Sequence, residues 1–264
     1  MVDYSKYKTV KLEKKDKIMT ITLDQPATRN AIGTETHKEL TELFLDLNKD
    51  DEINVVILTG AGQAFSAGGD LKGLDEIKKD PSGGIPISEP KELIQNLLSL
   101  RKPIIAAVNG DCVGLGASIA LNCDIIIAVE TARFGDPHVM LGLVAGDGGC
   151  IAWPLQIGLC KAKQYLLTGD LVKAPEAERI GLINKVVPAE SLMEEVGKLA
   201  TRLANGATLA INSTKIVLNK IALERWNQLF DACIAYEYLT LRSNDFIEAI
   251  QAFMEKRPPK FKGE

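Results

Sequence analysis

Three segments limit what this chain can fold into: NVVILTG (54–60), PIIAAVNG (103–110) and CDIIIAV (123–129). Each is a continuous apolar run, rich in β-branched residues and bounded by turn-forming ones, as strands covered on both faces read. GLGASIALN (114–122) between the second and third reads as a short helix, and the recurring order strand, helix, strand predicts an α/β chain with parallel strands. Upstream, YKTVKLEKKDKIMTITLD (7–24) alternates apolar and polar residues on either side of a charged turn, which predicts a β-hairpin. GTETHKELTELFLDLNKDD (33–51) places Leu40, Leu43, Phe44 and Leu47 on one helical face, with Thr34 or Thr36 as the N-cap. DPSGGIPISEP (80–90) reads as an exposed, mobile loop because prolines and glycines interrupt any pattern. Beyond about residue 190 the strand signals stop, and ESLMEEVGKLATRLA, LERWNQLFDACIAYEYLTL and DFIEAIQAFMEK read as successive helices. Their several apolar faces must cover the core or meet another subunit.

Composition removes several function classes. The chain has 264 residues and a net charge of −4, from 31 basic and 35 acidic side chains, which leaves no footprint for nucleic acid or an anionic membrane. No apolar run approaches the roughly 18 residues that span a bilayer. The five cysteines contain no C-x-x-C pair, and the opening segment lacks the apolar stretch of a signal peptide. A cytoplasmic protein without disulfides and without a metal is the expectation.

The glycine-rich loop TGAGQAFSAGGDL (59–71) follows a strand, yet Phe65 stands where G-x-G-x-x-G needs its last glycine, and no P-loop pattern occurs. Bare backbone amides at Gly68, Gly69 and in NGDCVGLGAS (109–118) can still approach a ligand closely, and one from each loop would make an oxyanion hole. Two tight turns would read the same way. GASIA (116–120) nearly matches a nucleophile elbow, but Ala120 stands where that motif has its last glycine, and no histidine follows His138. His37 sits among charged residues and reads as a surface side chain. FGDPHVMLGLVAGDGG (134–149) is different, because it sets His138 nine residues before Asp147.

Four stretches together resemble the enoyl-CoA hydratase/isomerase, or crotonase, superfamily. LDQPATRNAI (23–32) is similar to its N-terminal signature, AFSAGGDLK (64–72) to its A-F-x-A-G-x-D-L loop, residues 103–149 to its central motif and AFMEKRPPKFKG (252–263) to its tail. The resemblance implies a spiral of ββα units over residues 1–195 and a helical trimerisation region over 196–264, in a homotrimer or dimer of trimers. It implies an acyl-CoA thioester substrate, coenzyme A entering as part of that substrate and not as a separate cofactor. Carried over by position, the oxyanion donors are the amides of Gly69 and Leu115; Ala67, Asp70, Leu71, Ser118, Trp153 and Lys256 are the candidate substrate contacts, with Trp153 reading more readily as core, Ser118 equally as helix packing and Lys256 equally as part of a solvated tail. Ser118 and His138 occupy the two positions where hydratases of the family carry glutamates. Serine cannot serve as the missing base, whereas an imidazole with a reference pKa of about 6.5 can. A His138/Asp147 pair and AWPLQIG (152–158) are similar to a branch that cleaves carbon–carbon bonds in β-dicarbonyl compounds. The expected activity is water activation beside a polarised thioester, by hydration or by C–C hydrolysis. The rival is a non-catalytic or RNA-binding scaffold of the same fold.

Overall fold

A computed structural model describes residues 2–70 and 88–264. The hairpin forms as the alternation predicts: β1 (Val10–Lys15) pairs antiparallel with β2 (Ile18–Leu23). Asp16 and Lys17 both take positive φ at the turn between them, the backbone that matches the strands' twist. Helix α1 (Thr34–Lys49) follows, capped by Gly33 and by neither threonine. It buries Leu40, Leu43, Phe44 and Leu47 completely, each contributing about 1.5–3 kcal/mol of apolar burial.

The three apolar runs become β3 (Val55–Gly60), β5 (Ile104–Val108) and β7 (Ile125–Val129). Each is followed by a three-residue strand: β4 (Ala64–Ser66), β6 (Asp111–Val113) and β8 (Arg133–Gly135). The long strands join a six-stranded sheet of order β1-β2-β3-β5-β7-β10, closed by β10 (Lys185–Val187), and all pairings after the hairpin are parallel. The short strands form a second sheet of order β4-β6-β8-β9, with β9 (Val172–Lys173) antiparallel at its edge. Successive turns of chain thus stack one long and one short strand at a time, which is the expected spiral.

Helices fill the remaining turns: α2 (Ser88–Leu98), α3 (Leu115–Leu121), α4 (Gly149–Thr168), α5 (Ala174–Arg179) and α6 (Leu192–Ala204). The predicted loop over 80–90 is shorter than expected at its end, because residues 88–90 open α2; residues 80–87 lie outside the described ones. Helix α4 breaks at Gly158, whose φ of 73° and ψ of 163° are not helical. The expected boundary at residue 195 falls within α6, whose buried Val196 and Ala200 belong to the same core as the long strands. Then α7 (Thr208–Thr240) and α8 (Asn244–Glu255) run back over the spiral. Lys215 of α7 ties into it through Asp124 at 2.7 Å and the Lys102 carbonyl at 2.8 Å. Among the described residues, no helix is long and apolar enough to cross a membrane.

Candidate active site

The site is built where the short strands end. Asn30, in a left-handed conformation, donates to the carbonyls of Ala61 and Ala64 at 2.8 Å each, and its neighbour Arg29 accepts from the Ala67 amide at 2.9 Å. Ser66 Oγ donates to the Asn30 carbonyl and accepts from the Gly68 amide. Ile32 bridges to Gly69 by donating to the Gly68 carbonyl at 2.8 Å and accepting from the Asp70 amide at 3.2 Å. In such a bridge the Gly69 amide points away from Ile32, and no acceptor takes it among the described residues. Ala67 is exposed and Asp70 partly so, on the face where a ligand would approach. Leu71 lies outside the described residues.

The second amide is that of Leu115, the first residue of α3, which as a helix N-terminus has no intrahelical partner. The two loops are in contact: a Cβ built on Gly68, whose φ is +91°, would lie 2.9 Å from the Val113 carbonyl and 3.6 Å from the Leu115 amide nitrogen. A Cβ on Gly114 would stand 3.7 Å from Gly68 Cα and 3.7 Å from His138 Cε1. The structure therefore brings Gly69, Leu115 and His138 to one place.

His138 sits in a 3₁₀ turn over Pro137–Leu141. Its Nε2 is 3.6 Å from Asp147 Oδ2, close enough for charge coupling and too long for a hydrogen bond. Its Nδ1 is in hydrogen-bond contact with Asp136. Ser118, fully buried on α3, donates from Oγ to Asp147 Oδ1 at 3.2 Å. Burial pushes the imidazole down, but the carboxylates of Asp147 and Asp136 outweigh it and hold it up to about 10. Burial pushes Asp147 up to about 6, against the pull of His138. His138, read from the sequence as a base of ordinary basicity, is thus an imidazolium at neutral pH, and Asp147 is largely ionised beside it.

Two groups escaped the sequence reading. Asp136 is 1% exposed, and its Oδ2 has no hydrogen-bond partner. Glu237 of α7 reaches the Gly146 backbone, where a Cβ would meet its Oε2 at 2.6 Å, and that Oε2 is also buried without a partner. Burial, with the charge of Asp147 next, pushes Glu237 up to about 8, so it holds a proton at neutrality. The signals were faint: a D-P-H tripeptide, and one acid in the otherwise apolar ACIAYEYL of a helix some hundred residues away.

Trp153, a candidate contact that read more readily as core, is wholly covered and packs 5.7 Å from Tyr165. Trp226 of α7 is the indole near the site, its Cη2 3.1 Å from where a Cβ of Gly148 would be. Lys256 stands exposed past the C-terminal end of α8, whose N-terminal end is the one beside Gly142 and the 3₁₀ turn. At 1.5 Å per residue that is about 18 Å along the helix, so Lys256 does not join the cluster of its own chain. Oxygen and nitrogen atoms of Asp136, His138 and Asp147 lie within 4.8 Å of one another, a spacing a cation could use. Within the set, Asp136 and His138 are joined by a hydrogen bond, and His138 and Asp147 only by charge.

Residues 13–264 match the family model described as enoyl-CoA hydratase/isomerase. The chain belongs to that family. It is 37% identical over 254 residues to a short-chain-enoyl-CoA hydratase of Clostridium acetobutylicum, spanning 93% of this chain and 94% of that one. It is 34% identical to a 1,2-epoxyphenylacetyl-CoA isomerase of Escherichia coli, over 93% and 95% of the two chains. Among solved structures, an enoyl-CoA hydratase/isomerase of Mycobacterium paratuberculosis superposes with a TM-score of 0.89 at 34% identity, covering 94% of this chain and 99% of that one. The spiral and the helical C-terminal region are accordingly those of the enoyl-CoA hydratase/isomerase fold.

Proposed function

We propose that this member of the enoyl-CoA hydratase/isomerase family is an acyl-CoA enzyme that hydrolyses a carbon–carbon bond in a β-ketoacyl-CoA. The observation that carries the reading is an imidazolium–carboxylate pair, His138 and Asp147, beside two amides that have no partner among the described residues. The Gly69 and Leu115 amides hold the thioester oxygen as negative charge develops on it, each such donor contributing about 3–4 kcal/mol in the transition state. Asp147 takes a proton from water as its oxygen attacks the β-carbonyl carbon. His138 donates its proton to the oxygen that becomes negative there. Collapse of the adduct re-forms a carbonyl as that oxygen returns its proton to His138, the bond between the α and β carbons breaks, and the electron pair passes into a thioester enolate under the two amides. The proton held by Asp147 then returns to the α carbon, leaving a new carboxylic acid and a shorter or opened thioester.

Hydration of an enoyl-CoA is the second reading, favoured by the names of similar proteins such as the Clostridium hydratase. It needs the same water activation with Asp147 alone as the base. Incubation in ¹⁸O-water with crotonyl-CoA and with cyclic or branched β-ketoacyl-CoA esters, read by mass spectrometry, separates the two. The expected result is slow turnover of crotonyl-CoA and one labelled oxygen in a carboxylate released from the β-keto ester. Rapid formation of labelled 3-hydroxyacyl-CoA with no cleavage of the β-keto ester would leave hydration as the activity. Binding of both esters without turnover would mark a scaffold.

A further inference from the structure

We infer that Asp136 is a positioning residue for His138, gripping Nδ1 so that Nε2 is the nitrogen turned toward Asp147. The inference rests on the reading above for its catalytic meaning, but its geometry stands without it. Asp136 precedes Pro137, and a residue before proline is pushed out of the helical region. Its φ of −129° and ψ of 83° follow, leaving Asp136 in the N-cap position of the 3₁₀ turn. From there the carboxylate would ordinarily bond to amides of that turn, yet it makes no capping hydrogen bond. Its one partner among the described residues is the imidazole two residues on. A carboxylate that is 1% exposed, with one oxygen unpartnered, is a costly thing for a fold to keep if the fold alone is served.

The opposite wall is shaped around it. A Cβ on Gly149, the first residue of α4, would lie 1.8 Å from Asp136 Oδ2, so any side chain there would displace the carboxylate. Residues 136 and 149 are thus matched across the site. A hydrogen bond at one imidazole nitrogen decides the tautomer and the aim of the other. Asp136 fixes the proton on Nδ1 whenever the ring is neutral, and adds a second negative charge that favours the protonated ring. The other ionisable groups around this ring are Asp147, on the loop before α4, and Glu237 on α7; the thiols of Cys150 on α4 and Cys233 on α7 lie behind these carboxyls.

The chain has only two histidines, so the protein labelled with ¹⁵N-histidine gives two sets of ring signals, and His37 serves as an internal reference. Asp136→Asn keeps the shape and an acceptor for Nδ1–H while removing the charge; Asp136→Ala removes the bond as well. In Asp136→Asn the His138 titration midpoint should fall by a unit or more, and the alkaline limb of the pH–rate profile should fall with it. Asp136→Ala should additionally lose the Nδ1–H tautomer at high pH. His37 and CoA-ester affinity should not move in either variant. An unchanged His138 midpoint in Asp136→Asn, or a tautomer unaltered in Asp136→Ala, would overturn the inference whatever reaction the enzyme performs. If Asp136→Ala does not fold, the Asp136→Asn midpoint decides alone. A shifted midpoint in a protein that turns over no ester supports the positioning role and counts against the proposed reaction only.

Discussion

In the proposed reaction His138 and Asp147 divide the proton transfers differently from a neutral imidazole acting on water. Burial disfavours the charged ring, but two carboxylates reverse the sign and hold it up to about 10, while burial pushes Asp147 up to about 6. The proposed reaction requires Asp147 ionised and His138 protonated. It is reached as pH rises through the Asp147 value and lost as pH rises through the His138 value. kcat/KM should therefore climb through about pH 6, stay level across neutrality and fall near pH 10. Asp147→Asn should abolish the rising limb and cut turnover by about 10²–10⁴-fold, the usual worth of a general acid–base group, with CoA-ester affinity little changed. A single rising limb near 6.5 would instead assign His138 the role of neutral base. Ser118, donating to Asp147 from a fully buried position, holds that carboxylate and has no base of its own.

Elements matter here for where they end. The two amides assigned to the oxyanion in the proposed reaction come from a bridge after β4 and from the first residue of α3, and Gly68 is the point at which the two loops touch. With a φ of +91° and the Val113 carbonyl 2.9 Å from any Cβ, Gly68→Ala should force the loops apart. Turnover should drop at least tenfold, whereas Leu115→Ala, which keeps the amide, should leave it within about twofold. Equal losses in both variants, in steady-state assays, would mean that the Leu115 side chain and not its amide is the contributing part. The long strands were legible in the sequence because continuous β-branched runs are hard to mistake, and so was the hairpin by its alternation. The strands β4, β6, β8 and β9 were not, since two or three residues carry no period. Gly69, Leu115, His138 and Asp147 were reached through motif and resemblance. Asp136 needed the backbone after β8 to be seen, and Glu237 needed the path of α7, which no local pattern encodes.

On the scale of the molecule, α7 is about 50 Å long and presents a row of apolar side chains to the outside. Leu209 is 82% exposed, and Val217, Leu218, Ile221, Tyr236 and Leu239 are each about 60% exposed. A single chain gains nothing from such a row, and closed symmetric assembly is the usual way to cover one. We expect sedimentation to report a trimer or a dimer of trimers; a stable monomer at micromolar concentration would contradict this. The spiral also sets the order in which the reactive centre comes into being. Gly69 closes the first turn, Leu115 opens the helix of the second, and His138 and Asp147 follow the third, while Glu237 arrives only when α7 returns across them. A growing or half-unfolded chain can thus present one amide, or two, without the proton donors that would act on a bound thioester. In the proposed reading the centre is complete only when every turn of the spiral and the returning α7 are in place together.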